Sequence, residues 1–165
     1  MGAYKLMRLK GIIDYDTVNY KEPCLTLLFN YCNFKCDKLN GCQVCQNSTL
    51  AREPDIEVSG EQIWRMYEEN PLTKAFCFQG LEPFDSFMDL IDIIKFIRKE
   101  KQCNDPIVIY TGYNQGEDFL VEESLKCFTN IIVKWGRFIL GDEPHFDEIL
   151  GVKLSSNNQY GEKIS

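Results

Sequence analysis

Residues 24–47 read CLTLLFNYCNFKCDKLNGCQVCQN. The first part, Cys24 to Phe29, is a short and nearly continuous apolar run. Its length suits a strand, and a strand apolar on both faces belongs inside a sheet covered on both sides. Cys32, Cys36, Cys42 and Cys45 follow directly, within fourteen residues. A buried strand that empties into a ligand-rich loop is the arrangement of an open parallel α/β sheet, whose sites collect at the carboxyl ends of the strands.

The same unit recurs along the chain. Lys74 to Gln79 (KAFCFQ) leads into Gly80-Leu81-Glu82-Pro83, Pro106 to Thr111 (PIVIYT) closes on Gly112, and Asn130 to Lys134 (NIIVK) precedes Gly136-Arg137. Lys5 to Ile13 reads as a first strand of mixed pattern. Helices are expected between them. Ser59 is placed as an N-cap with Gln62 completing a capping box, and Pro71 ends that helix. Asp85 to Lys99 carries Phe87, Leu90, Ile91, Ile94 and Ile97 at helical spacing, which is a core-packing stripe. Glu117 to Lys126 is a further helix. Strands alternating with helices imply right-handed βαβ units and a mostly parallel sheet. A chain of 165 residues is too short for eight such units, so the expectation is an α/β fold built as a partial (β/α) barrel or open curved sheet. One domain is expected over 1–165, with a ligand loop at 31–47 and a polar tail from about 151 to 165. No internal repeat interrupts this scheme.

The chain is 44% hydrophobic and 13% aromatic, enough to build a core. Its net charge of −7 disfavours binding to a phosphate backbone, so no nucleic-acid partner is expected. No apolar run approaches the roughly 18 residues of a membrane span, and Met1 to Gly11 lacks a signal-peptide h-region. A cytoplasmic protein with no membrane partner is the expectation. Under reducing conditions eight cysteines do not form a disulfide framework. The dispersed Cys24, Cys77, Cys103 and Cys127 read as small core residues, and the lone His145 as a surface loop residue.

The clustered four point to a soft metal, either zinc or iron–sulfur. Their spacings are three, five and two intervening residues, which crowds the ligands into one loop, whereas zinc ribbons set close pairs on separate knuckles. Four thiolates suit either metal on these grounds alone.

The motifs around the loop narrow the choice. Cys32-Asn33-Phe34-Lys35-Cys36 after a strand resembles the start of the radical S-adenosylmethionine (SAM) cluster loop, usually CxxxCxxC. Cys45-Gln46-Asn47 resembles the Cys-His-Asn that closes it in glycyl-radical activating enzymes. Gln79 to Pro83 resembles the Gly-Gly-Glu-Pro motif. Ile109 to Tyr113, Trp135 to Ile139 and Ser155 to Gln159 resemble segments of the activating proteins of anaerobic ribonucleoside-triphosphate reductase, in the same order along the chain. There are two departures. An insertion separates Cys36 from Cys45 by eight residues, and Leu81 stands where the family has a second glycine.

The resemblance implies a radical SAM partial barrel. A [4Fe-4S] cluster would be held by Cys32, Cys36 and Cys45, leaving Cys42 as a spare thiol or alternative ligand. SAM would lie among Asn33, Val44, Asn47, Gly80, Glu82, Thr111 and Gly112. Within that set Gly80 and Glu82 would be at the methionine amino group, Val44 at the adenine, and Thr111 and Gly112 near the ribose. The implied activity is reductive cleavage of SAM to install a glycyl radical on a large partner, the anaerobic reductase, with electrons from a donor such as flavodoxin or ferredoxin. The alternatives are a small-molecule radical SAM enzyme of the deazapurine-forming type and a zinc-stabilised binding module that uses all four clustered thiolates.

Overall fold

The computed structural model describes residues 5–45 and 47–165. Leu6–Asp16 forms strand β1 and Cys24–Phe29 strand β2; Ile56–Ser59 is β3, Ala75–Gly80 β4, Ile107–Tyr110 β5 and Ile131–Trp135 β6. Three short strands complete the set: β7 (His145–Asp147), β8 (Val152–Leu154) and β9 (Tyr160–Lys163). The main sheet runs β3-β1-β2-β4-β5-β6-β9, and β7 and β8 form a separate ribbon. The apolar runs read as buried strands are its parallel centre, with β2, β4, β5 and β6 paired parallel. Antiparallel strands flank that centre on both sides: β1 on β2, β3 on β1, and β9 on β6. The sheet is therefore mixed and open, with β3 and β9 as its edges, and it does not close into a barrel.

The period-2 alternation of the central strands feeds two apolar layers. On one face Leu25, Leu27, Phe29, Phe76, Phe78, Ile107, Ile109, Ile131 and Val133 pack under the helices. These are α2 (Gly60–Glu69), α3 (Phe87–Lys95) and α4 (Phe119–Lys126), which contribute Ile63, Leu90, Ile93, Ile94, Val121 and Leu125. On the other face Cys24, Ala75, Cys77, Val108 and Ile132 meet Tyr20, Leu150 and Leu154. Cys24 and Cys77 are fully buried, as their strand positions imply. Cys103 is only partly buried and Cys127 is exposed, because both lie in the loops that lead from helix to strand.

Local signals hold where side chains act on their own backbone. The Ser59 hydroxyl accepts from Gln62 N at 3.2 Å, and Gln62 Oε1 accepts from Ser59 N at 2.8 Å, completing the expected capping box. The expected Asp85–Lys99 helix is a composite. A 3₁₀ turn at Pro83–Ser86 precedes α3, and a π-helical turn at Phe96–Glu100 follows it. The tail from Gly151 is ordered into β8 and β9, and no helix of the described residues is long and apolar enough to cross a membrane.

Gly80 sets how closely β4 approaches β2. It has φ +93°, and an added Cβ would lie 2.8 Å from Leu28 Cα and from Phe29 N. Gly116 has φ +81° but nothing within 4 Å of such an atom. Gly116→Ala is expected to cost only the left-handed backbone preference, about 1–2 kcal/mol. Gly80→Ala should cost clearly more, because the main chain of β2 must also move. Urea unfolding of the two metal-free variants beside the parent checks the difference.

Candidate metal centre

The loops that leave β2, β4, β5 and β6 converge on one edge of the sheet and enclose a cavity of about 420 Å³. Cys32, Cys36 and Cys45 all line it, together with Val44, Asn47, Gly80, Glu82, Thr111 and Gly112. Cys42 does not; it is exposed, with its thiol 3.6 Å from the Asn40 carbonyl. Asn33 also lies outside the lining and serves the loop itself, its side chain accepting from Lys35 N at 3.2 Å.

The cysteine loop is built from backbone bonds and short acidic or amide side chains. Its start is tied to the next strand, because Glu82 N donates to Tyr31 O at 2.8 Å. Phe34 then turns the chain with a left-handed φ of 54°, unusual for a bulky residue, and its N–H points at Cys32 Sγ, 3.2 Å away. The inserted residues form a short helix, α1 (Lys35–Asn40), which closes on left-handed Gly41. Within it, the Asp37 carboxylate accepts from both Val44 N and Cys45 N at 2.8 Å. That carboxylate brings Cys45 back toward Cys36 across the insertion. Asn47 anchors the far end, its amide donating to Gly80 O at 2.7 Å.

Glu82 is the most constrained group in the site. It is 5% exposed, although a carboxylate in a turn after a strand is ordinarily solvated. Its Oε1 accepts from Thr111 Oγ1 at 2.8 Å and Phe84 N at 3.0 Å, and its Oε2 accepts from Gly112 N at 2.8 Å. Burial lifts its carboxyl to about 7 against the pull of those three bonds. The Thr111 hydroxyl also accepts from Tyr113 N at 3.0 Å, so Thr111 and Gly112 act on Glu82 directly. A carboxylate has about four acceptor positions, so one on Oε2 is left for a further donor. Gly80, not Leu81, carries the left-handed backbone of this turn, and leucine is accommodated without strain.

Several residues to which the sequence reading gave no role in the site complete it. Lys134, at the end of β6, is 7% exposed at the cavity floor. Its ammonium donates to Gly136 O at 2.8 Å and Thr111 O at 3.3 Å, and burial lowers it to about 8. Asp85 joins the loop to the β5 turn by accepting from Asn33 N at 3.1 Å and Tyr113 Oη at 2.5 Å. Lys35 Nζ stands 3.9 Å above the Tyr113 ring, and Arg137 pairs with Glu117 beside it. The Ser155–Gln159 segment is a latch on the β6 turn. Gln159 donates to Gly136 O at 3.3 Å and Asn158 to Arg137 O at 2.8 Å, while the Ser156 hydroxyl accepts from Ile139 N at 3.3 Å. A buried lysine could have been noticed in NIIVK, where a charge ends an apolar strand. The Asp37 and Asp85 contacts depend on the folded path of the loop.

The donor set of three thiols on one wall fits a polynuclear iron–sulfur group. Burial raises Cys32 to about 12 and also raises Cys45, and backbone N–H groups from Phe34 and Asn47 face those two sulfurs. Such N–H groups stabilise metal-bound thiolates and tune cluster potential. Among the described residues no three Cys, His, Asp or Glu side chains are drawn together tightly enough to hold a single ion. A cluster asks less convergence of them, since each thiolate takes a different iron. No curated protein matches the chain. The family described as the 4Fe-4S single cluster domain matches residues 23–160, from the start of β2 to the start of β9. With the cysteine loop and the whole parallel centre inside that span, the chain belongs to the 4Fe-4S single cluster domain family.

Proposed function

We propose that the protein is a radical SAM activating enzyme that installs a glycyl radical on an anaerobic ribonucleoside-triphosphate reductase. The observation that carries this reading is the joint placement of Cys32, Cys36 and Cys45 with Gly80 and Glu82 on one cavity. Three thiolates leave one iron of a [4Fe-4S] cluster without a protein ligand, open to a small molecule, as in other catalytic metal sites. When bound, cluster and SAM together supply one-electron cleavage of the sulfonium bond and a 5′-deoxyadenosyl radical.

The chain's own residues supply binding, orientation and exclusion of water. The free acceptor position on Glu82 Oε2 suits an ammonium group, and ionisation of Glu82 would strengthen that bond. Gly80 O has a second lone pair beside the one used by Asn47, and Val44, which also lines the cavity, would offer an apolar contact to the adenine. Lys134 keeps the Thr111 and Gly136 carbonyls in place, so the floor holds its shape as Glu82 takes a ligand. The end of the cavity toward Val152 and Leu154 is packed by the β7–β8 ribbon. That ribbon is fixed to the β1–β2 loop by Lys21 N donating to Leu150 O at 2.7 Å.

The volume bears on the substrate class. About 420 Å³ is toward the lower end for a ligand site, and because the three thiols line it together with Gly80 and Glu82, it would be taken up by the cluster and SAM together. A substrate that reaches in from outside, such as a glycine on a loop of another protein, suits such a site better than a second enclosed small molecule. The single domain, the electron donor (a flavodoxin or ferredoxin) and the reductase belong to the same proposal.

The test is to mix the anaerobically reconstituted chain, SAM and dithionite with the reductase and look for a glycyl radical by electron paramagnetic resonance. A doublet that depends on all components is expected, and its absence with an intact cluster would remove the activase assignment. Cys45→Ala should lose most of its iron, while Cys42→Ala should keep it; equal loss would show that the third ligand is misassigned. Asp37→Ala should retain the fold by circular dichroism and hold the cluster about 10–100-fold less well, as expected when a group that orients a ligand is removed. Glu82→Gln should keep the cluster and bind SAM about 10–100-fold more weakly by equilibrium dialysis, the scale of one charge-assisted bond.

A further inference from the structure

We infer that Lys134 is a positioning residue for charge: a buried cation in the cavity that raises the reduction potential of the iron–sulfur group. The inference rests on a cluster held at Cys32, Cys36 and Cys45, and not on what that cluster then does.

Lys134 stands where the strand pattern calls for an apolar residue. In β6, Ile131, Val133 and Trp135 pack in the layer under the helices, and Ile132 packs in the layer on the opposite face. Alternation puts Lys134 on that second face, two residues beyond Ile132 toward the carboxyl end, where it lines the cavity. Burying an ammonium is costly unless it is paired. Yet among the described residues Lys134 forms no ion pair. Of its three donors two are taken by neutral carbonyls, Gly136 O and Thr111 O. The Tyr110 ring, 5.9 Å from Nζ, is at the limit of cation–π range. The other cations beside the loop differ, since Lys35 and Arg137 both pair with Glu117.

The charge faces the wall of thiols. Burial favours loss of the Lys134 proton, whereas the negative charges of Glu82 and Cys36 favour its retention. Those two groups are neighbours, because a Cβ added at Gly112 would lie 3.5 Å from both Cys36 Sγ and Glu82 Oε2. A [4Fe-4S] cluster on three thiolates is anionic, and its potential follows net charge and burial. The redox step adds one electron from an external reductant, taking [4Fe-4S]²⁺ to [4Fe-4S]⁺, with no bond made or broken. A buried cation is weakly screened, so it stabilises the more negative reduced form above the oxidised one.

The experiment is a potentiometric titration of the anaerobically reconstituted full chain, without SAM, with titanium(III) citrate as reductant. The electron paramagnetic resonance signal of the reduced cluster is the readout. Lys134→Met removes the charge and both hydrogen bonds, whereas Lys134→Gln removes the charge and keeps a donor for the carbonyls. Both should lower the equilibrium constant for reduction by about tenfold, a fall of about 59 mV for one electron. Lys134→Arg keeps the charge and should stay near the parent potential. Lys153→Met, which removes an exposed charge from the lining of the same cavity, should do so too. Iron content should match the parent throughout. Parent-like potentials in both neutral variants overturn the inference. A fall in Lys134→Met that is absent in Lys134→Gln, or an equal fall in Lys134→Arg, assigns the effect to the hydrogen bonds of the floor and overturns the role of charge. Loss of the cluster from both neutral variants makes Lys134 a structural group and also overturns it. A parent chain that assembles the cluster and activates no reductase removes the function proposed above and leaves this inference to be decided by the potentials.

Discussion

The buried carboxylate of Glu82 is the joint on which the site depends. Charge is costly to remove from water, and it is tolerated here because three donors from two neighbouring turns converge on it. Those donors fix the relative height of the β4 and β5 turns. The backbone of the same residue fixes the start of the cysteine loop through Tyr31 O, and Lys134 carries the brace on to the β6 turn. The carboxyl ends of four strands, each from a separate segment of the chain, are thereby held as one rigid rim. A cavity lined by thiols needs such a rim, because its ligands sit on a loop with no core beneath it.

The parallel centre of the sheet was legible because its strands are short, apolar and followed by glycine turns. CLTLLF became β2 without a change of boundary, and KAFCFQ, PIVIYT and NIIVK each shifted by about a residue or so. The flanking strands were harder to see. Ile56–Ser59 and Tyr160–Lys163 are short and partly polar, and their pairing comes from the edges they cover rather than from any pattern of their own. Those added strands also explain why the sheet stays open. Antiparallel neighbours occupy both sides of the parallel centre, where further βα units would be needed to close a barrel.

The site was legible as a set of residue types and less so as a set of contacts. Motif matching brought Cys32, Cys36, Cys45, Gly80 and Glu82 to one place, and they line one cavity. It assigned Thr111 and Gly112 to a ligand, yet their donors face Glu82. It treated the insertion between Cys36 and Cys45 as a departure, whereas Asp37 and Asn40 make it a stitched turn that returns the third cysteine to the wall. The Ser155–Gln159 segment was read as a family-like motif within a polar tail, with no contact assigned to it; Ser156 is fully buried and Gln159 nearly so, with their polar groups bonded across the β6 turn. For Glu82 and Gln159 a hydrogen-bond partner more than twenty residues away decided the outcome, and for the insertion it was the folded path of the loop itself; residue spacing carries no trace of either.

The central claim is that three cysteines hold a [4Fe-4S] group with one iron open to SAM. Mössbauer spectroscopy of the anaerobically reconstituted, ⁵⁷Fe-enriched protein, recorded before and after addition of SAM, tests it most directly. The account predicts a cluster spectrum in which a single iron site changes its isomer shift and quadrupole splitting when SAM is present. A cluster whose irons are all unaffected by SAM, or a protein that takes up zinc and assembles no cluster at all, would contradict it.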